Sequence, residues 1–197
     1  MICPQCQKQN REQAHYCKWC GSALSNDNTG PLADLVGMDK VKKQLMTLVA
    51  RYEEHQRRMK TTGVSQPFTA NIIISGEMGT GKTMLVEVIE KLFSQKGMTK
   101  HPATYILNSE EFDAFRNAKD FDANLAKAKG GILCIDAVHK LLPNGQDTNT
   151  TTLDRIFSGV QTWKGDPFVI LCGWSVVLDS YLKNNPNISD RFDMVIN

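Results

Sequence analysis

Residues 76–83, Gly76-Glu77-Met78-Gly79-Thr80-Gly81-Lys82-Thr83, fit the pattern G-x-x-x-x-G-K-[ST]. The chemistry open to this spacing is the capture of a polyphosphate. Glycines let the main chain wrap closely, so that its N–H groups and the start of the following helix face phosphate oxygens. Lys82 is then placed to reach the β- and γ-phosphates, and the Thr83 hydroxyl to ligate Mg²⁺. A second group completes the first. In Ile132-Leu133-Cys134-Ile135-Asp136, four apolar residues end in an acid, as a buried strand would to deliver Asp136 to the same Mg²⁺, directly or through water. A glycine-rich turn or a strand-end acid alone could be bland. Together, on separate strands, they point to a nucleoside triphosphate site.

A different chemistry sits at the N-terminus. Cys3-Pro-Gln-Cys6 and Cys17-Lys-Trp-Cys20 are two CxxC knuckles, the second followed by Gly21. Each can present both thiolates to one side of a tight turn, and the pair completes a tetrahedral, closed zinc site of the structural kind. Metal binding would supply folding free energy to a segment with too little apolar surface to fold unaided. His15 is a poor candidate ligand beside four thiolates. Cys134 and Cys172 lie within apolar runs, where an inert buried thiol is the expectation.

These groups must be positioned by a chain of 197 residues, 41% hydrophobic and 22% charged, with 23 Lys and Arg against 21 Asp and Glu. That length suits one domain plus a small appendage, and that composition excludes wholesale disorder and collagen-like repeats. No apolar run approaches membrane-spanning length, and the N-terminus lacks a secretory pattern. The expectation is a soluble, cytoplasmic protein whose near-neutral balance argues against coating nucleic acid. Three parts separate: residues 1–24, the cysteine-rich segment of the expected zinc site; residues 25–31, a polar linker ending in Gly30-Pro31; and residues 32–197. In the third, Val41, Leu45, Leu48, Val49 and Tyr52 recur at helical spacing, with Asp39 placed to cap the start. The charged run Arg51 to Lys60, which contains Glu53 and Glu54, reads as a solvated helix face. A further helical run spans 82–94. Apolar strands are expected at 68–75, 103–107, 131–136 and 168–172, and 194–196 reads as the edge of a fifth. Continuous apolar strands separated by helices predict an α/β fold, a parallel sheet flanked by helices.

From residue 32 onward the chain resembles an AAA+ ATPase of the CbbX/SpoVK-like branch, which includes red-type rubisco activases. Asp34-Leu-Val-Gly-Met-Asp-Lys-Val41-Lys is similar to the branch's opening L-[IV]-G-[LM]-x-x-V-K, PFTANIIISGEMGTGKT to its first strand and phosphate loop, and GGILCIDAVHKLL to its GG-[VI]-L-F-I-D-E-A. FVILCGWSVVLDSYLKNNPNISDRF is similar to its V-[IV]-L-A-G-Y … F-L … N-P-G-L-x-S-R-F. The resemblance implies a P-loop NTPase core that takes ATP and Mg²⁺, with main chain near Val36 and Gly37 lining the adenine pocket. It implies that Arg191 is the arginine finger reaching the γ-phosphate of a neighbouring subunit, and hence a ring, usually a hexamer. The N-terminal segment is similar to short zinc ribbons that dock partners.

The resemblance also breaks. Ala137 follows Asp136 where the family carries the glutamate that orients the attacking water. Either Ala137 is natural, making a pseudo-ATPase, or a Glu→Ala change was introduced to trap bound ATP; the intact surrounding motif favours the trap. The chain ends at Asn197, where the family continues into a helical lid, so a truncated piece lacking that lid is expected. Trp174 stands in place of the branch's tyrosine, with no Asn or Thr at the sensor position, and Ser189 replaces a second arginine.

Among the remaining residues, His139 reads as a surface or packing histidine. Phe112 and Phe115 fit an aromatic pore loop no better than they fit helix packing. Lys18 and Trp19 could touch a base or a peptide, but Trp19 packed over a zinc core is more economical. The leading function is an ATP-dependent remodelling subunit for a client protein, docked through its ribbon and blocked at hydrolysis by Ala137. The alternatives are a non-hydrolysing, nucleotide-gated scaffold and a nucleic-acid-associated ATPase.

Overall fold

Five short runs of isoleucine, valine, leucine and their neighbours pair into one parallel sheet in the computed structural model, which describes residues 2–3, 6–9, 19, 30–108, 118–142 and 150–197. The strands are β1 (Ile72–Ser75), β2 (Thr104–Leu107), β3 (Ile132–Ile135), β4 (Phe168–Gly173) and β5 (Met194–Ile196), in spatial order β2-β3-β4-β1-β5. Every residue of β1, β3 and β4 is buried. This is why these strands carry continuous apolar runs rather than an alternating pattern: helices cover both faces. On one face Ile72, Ile74, Ile132, Cys134 and Ile170 join Leu45 and Leu48 of helix α1 (Asp39–Thr62) and Leu85, Ile89 and Phe93 of α2 (Lys82–Gln95). On the other, Ile73, Leu133, Ile135, Val169 and Leu171 join residues of α3 (Ala118–Ala128), α4 (Thr150–Thr162) and α5 (Ser175–Asn184). A short α6 (Pro186–Ser189) leads into β5. Among the described residues, no helix is long and apolar enough to cross a membrane.

The expected α/β class, the parallel sheet and the fifth strand are all present. Most boundaries differ by a residue, and two differences carry a physical reason. The first strand starts at Ile72, not at residue 68, because Asn71 takes another role: its buried side-chain Oδ1 accepts the Val169 N–H (2.9 Å). Its main chain exchanges bonds with Asp193, whose N–H donates to the Asn71 carbonyl (2.8 Å) and whose Oδ2 accepts the Asn71 N–H (2.9 Å). One residue, through its side-chain amide and its main chain, thus ties the entrances of β1, β4 and β5 together. Asn71→Ala strands the buried Val169 donor and is expected to cost about 2 kcal/mol, lowering Tm by roughly 4–8 °C in a thermal melt.

The second difference is at the start of α1. Met38, not Asp39, holds the cap position and makes no side-chain capping bond; Asp39 is the first helical residue. Gly37, at φ 74°, makes the turn that precedes it. The carboxylate still lies in the positive first turn of the helix, where it is favourable. The solvated face read over Arg51 to Lys60 continues α1 to Thr62, where Gly63 closes the helix in the left-handed region with its N–H on the Met59 carbonyl.

Candidate functional site

The strand order decides which loops meet. The chain crosses from β1 to the far edge at β2 and returns through β3 and β4, so the carboxyl end of β1 lies between those of β4 and β5. In open parallel sheets such a crevice is where ligands bind. The 76–83 loop leaves β1 at this point and opens α2 at Lys82. Gly79 (φ 78°) and Gly81 (φ 83°) both hold left-handed conformations, which lets the loop turn back over its own start. A Cβ on Gly76 would stand 2.8 Å from Thr80 Oγ1, so any larger residue there would have to displace that hydroxyl from its bond to the Glu77 carbonyl.

The donor set fits a polyphosphate. The first-turn N–H groups of α2 have no acceptor within the helix by geometry, the first intrahelical bond being Leu85 N–H to the Gly81 carbonyl (2.9 Å). Lys82 Nζ lies over the loop, donating to the carbonyls of Gly76 (3.0 Å) and Glu77 (2.7 Å). Thr80 Oγ1 donates to the Glu77 carbonyl (2.8 Å). Thr83 is exposed in the first turn of α2, and Met78 is exposed at the loop tip. Asp136 extends from β3, its N–H held by the Leu107 carbonyl of β2 (2.9 Å). A hydroxyl in the first turn of α2 and a carboxylate at the end of β3 are oxygen ligands of the kind that Mg²⁺ prefers.

Beside the loop is a cavity of about 320 Å³ lined by, among others, Gly37, Val41, Ile74, Leu85, Ile196 and Asn197. Its aliphatic walls suit a flat heterocycle. Gly37 is in the lining, whereas the Val36 side chain points outward, 89% exposed. Ser75 and Asn197 were not legible as cavity residues in the sequence. They meet across β1 and β5, Ser75 Oγ donating to Asn197 Oδ1 (2.8 Å), and only the placement of β5 beside β1 reveals them.

Ala137 is half-buried and sits at φ 54°, ψ 37°, a left-handed conformation unusual for a residue with a Cβ, and its N–H donates to Asp136 Oδ1 (2.8 Å). Strained backbone of this kind collects at functional sites. His139, in the short 3₁₀ turn that follows, is half-buried; burial and then Lys140 push its imidazole below the ordinary range. Its Nδ1 accepts the Trp174 main-chain N–H (3.2 Å), which leaves Nε2 to carry the proton. Trp174 and Ser175, at the corner between β4 and α5, both donate to the Glu77 carboxylate (2.7 and 2.8 Å). Those two bonds, Trp174 first, hold the Glu77 carboxyl below the usual carboxylate range. Cys134 and Cys172 are buried side by side with sulfurs 4.0 Å apart; the Cys172 contact and then burial raise the Cys134 thiol far above the normal range, as suits inert thiols.

Arg191 lies between α6 and β5. Its guanidinium donates to the carbonyls of Phe157 (3.0 Å) in α4 and Asn187 (3.1 Å) in α6. At the N-terminus, Cys3 N–H donates to the Lys8 carbonyl (3.0 Å), Gln7 N–H to the Cys3 carbonyl (2.9 Å), and Ile2 bridges Gln9 in antiparallel fashion. Trp19 lies against this turn, with Lys8 Nζ 4.7 Å from its ring centre and its indole N–H directed to the Gln9 carbonyl (3.4 Å). Cys17, Cys20, His15, Phe112 and Phe115 lie outside the described residues. Among the described residues, no three His, Cys, Asp or Glu side chains cluster to hold a metal.

Comparisons with known proteins agree with this architecture. The chain is 25% identical over 171 residues to stage V sporulation protein K of Bacillus subtilis, covering 84% of this chain and 52% of that protein. It is 27% identical over 182 residues to the ESX-3 secretion system protein EccA3 of Mycobacterium tuberculosis, covering 87% of this chain and 28% of that protein. It therefore spans about half or less of the length of these relatives. A chain in the solved HORMA:CdnC:Trip13 complex of E. coli MS115-1 superposes with a TM-score of 0.51 at 16% identity, covering 84% of this chain and 64% of that one, a likeness of fold. Residues 72–197, from the first residue of β1 through the acid of β3 to Asn197, match the ATPase family associated with various cellular activities (AAA), and the chain belongs to that family.

Proposed function

We propose that this chain binds Mg·ATP in the crevice between the 76–83 loop and the carboxyl end of β3, as a subunit of a ring that remodels a client protein. The observation that carries the reading is the loop itself: it leaves β1 between β4 and β5, opens α2 at Lys82, and borders a cavity of about 320 Å³ walled by aliphatic side chains. Family membership supports ATP as the ligand and ATPase activity as the reaction. Lys82 and the first-turn N–H groups of α2 bind the β- and γ-phosphates. Gly76, Glu77, Met78, Gly79, Thr80 and Gly81 shape the loop around them. Thr83 and Asp136 hold Mg²⁺, which when bound would draw charge from the phosphate oxygens. Gly37, with Val36 beside it, borders the adenine.

Ala137 offers no acceptor for the proton of an attacking water, so this chain holds ATP and hydrolyses it poorly. In a ring, Arg191 would act on the γ-phosphate of the next subunit. In this chain its Nε and Nη1 are anchored by the Asn187 and Phe157 carbonyls, so α4 and α6 set where the finger stands. Cys3, Cys6, Cys17 and Cys20 bind zinc and form a ribbon that docks a partner; the bonded turn from Cys3 to Lys8 supports a knuckle at the first pair. A second reading, a non-hydrolysing scaffold locked by ATP, is favoured by the same Ala137 if that residue is native.

The test is to incubate the chain with Mg·ATP, isolate it, quench in acid and quantify bound nucleotide, with zinc measured on the same sample. Retained ATP and about one zinc per chain are expected. Bound ADP would show that another group activates water. A chain with no nucleotide would defeat the ATP reading, and one with no zinc would defeat the ribbon.

A further inference from the structure

Glu77 poses an electrostatic problem. It puts a carboxylate in the second position of a loop shaped for a polyanion, where like charge at a few ångströms weakens binding. The geometry shows how the charge is handled. Both carboxylate oxygens are directed at the corner between β4 and α5: Oε2 accepts the Trp174 indole N–H at 2.7 Å, and Oε1 accepts the Ser175 hydroxyl at 2.8 Å. Trp174 is itself set from behind by its main-chain bond to His139 Nδ1 and by an edge-on contact between the two rings, 6.4 Å between centres. Lys82 Nζ meanwhile contacts the carbonyl oxygens of Gly76 and Glu77, and among the described residues it makes no ion pair with the Glu77 carboxylate.

Resting on the reading of this loop as an ATP site, we propose that Trp174 and Ser175 are positioning residues for triphosphate binding: they clamp the Glu77 side chain against the β4–α5 corner, so its charge faces away from the phosphates and the Lys82 ammonium stays available to them. Released from the clamp, the carboxylate would have two destinations, both harmful. It could swing toward the phosphates and repel them, or take the Lys82 ammonium as an ion pair and withdraw it from the ligand. Charge-assisted bonds such as these two are the strong ones, and Trp174 and Ser175 are neighbours on the same corner, so they act as a unit. The depressed Glu77 carboxyl agrees with a group held as a carboxylate by two donors.

The clamp matters only because Glu77 is charged, and that sets the test. Mg·ATP binding is measured by titration calorimetry on the full chain, on Trp174→Phe, on Glu77→Gln and on the double variant, with circular dichroism confirming the fold of each. Phenylalanine keeps an aromatic ring at a half-exposed position and removes only the donor. Trp174→Phe is expected to weaken ATP binding about tenfold when Glu77 is present and less than about twofold when residue 77 is neutral. Ser175→Ala should repeat the pattern with a smaller loss, and it serves if Trp174→Phe fails to fold. Equal losses in both backgrounds would mean that Trp174 merely braces the corner, and no loss in either would mean that the clamp is idle; each overturns the proposal. Failure of the unmodified chain to bind ATP would sink the nucleotide reading, and this one with it.

Discussion

Ala137→Glu is expected to turn a chain that retains ATP into one that consumes it, raising single-turnover hydrolysis by at least about a hundredfold, the lower range for a positioned general base. The reasoning starts at the end of β3. The register of that strand delivers Asp136 to the crevice and leaves the next residue at its mouth, half-buried, in a left-handed turn stapled by its own N–H to Asp136 Oδ1. The backbone is already shaped, so a glutamate inherits the turn and extends the alanine Cβ by one methylene and a carboxylate. His139, on the same turn, cannot serve as well while its Nδ1 accepts the Trp174 N–H and its Nε2 carries the proton, which leaves no ring lone pair for water. Acid-quenched phosphate release over one turnover reads the change. Equal, slow rates with and without the substitution would show that the arrest lies elsewhere, in the missing neighbour or in Arg191. Fast hydrolysis by the unmodified chain would show that Ala137 is no obstacle.

Lys82→Ala should abolish retention of ATP, weakening it by at least about a hundredfold, because an ammonium bridging two phosphates makes more than one charge-assisted bond. Stability should hardly change. The bonds that Lys82 Nζ makes are to the Gly76 and Glu77 carbonyls, on an exposed or half-exposed loop where water can replace the lysine. Equilibrium binding of Mg·ATP together with a thermal melt separates the two effects. A large fall in Tm would mean that Lys82 holds the loop closed rather than the ligand. Unchanged affinity would remove the lysine from the site.

How much of this was legible in advance differs residue by residue. The strand in residues 168–172 was readable because both its faces are buried, which requires an unbroken apolar run. The start of β1 was not, since Asn71 looks like any polar residue at a strand entrance until Val169 and Asp193 are found beside it. Asp39 misled for a similar reason: an aspartate before an apolar helical pattern suggests a cap, but the turn at Gly37 moved the cap one residue earlier. Arg191 could be picked out by resemblance, yet nothing local indicated that its guanidinium would be tied to carbonyls of α4 and α6.

What the sequence by itself determined is the local chemistry: the glycines, Lys82 and Thr83 at fixed offsets, the acid closing an apolar run, the doubled CxxC, and the alternation of apolar strands with helices. Each follows from backbone geometry within a few residues, so spacing alone carries it. Only the tertiary structure decided that β1 lies between β4 and β5, that Ser75 and Asn197 meet at the cavity, and that Glu77 is clamped by Trp174 and Ser175. Those partners are about a hundred residues apart along the chain. Pairing at that distance is selected by packing the whole sheet, and it leaves no periodic mark on either segment.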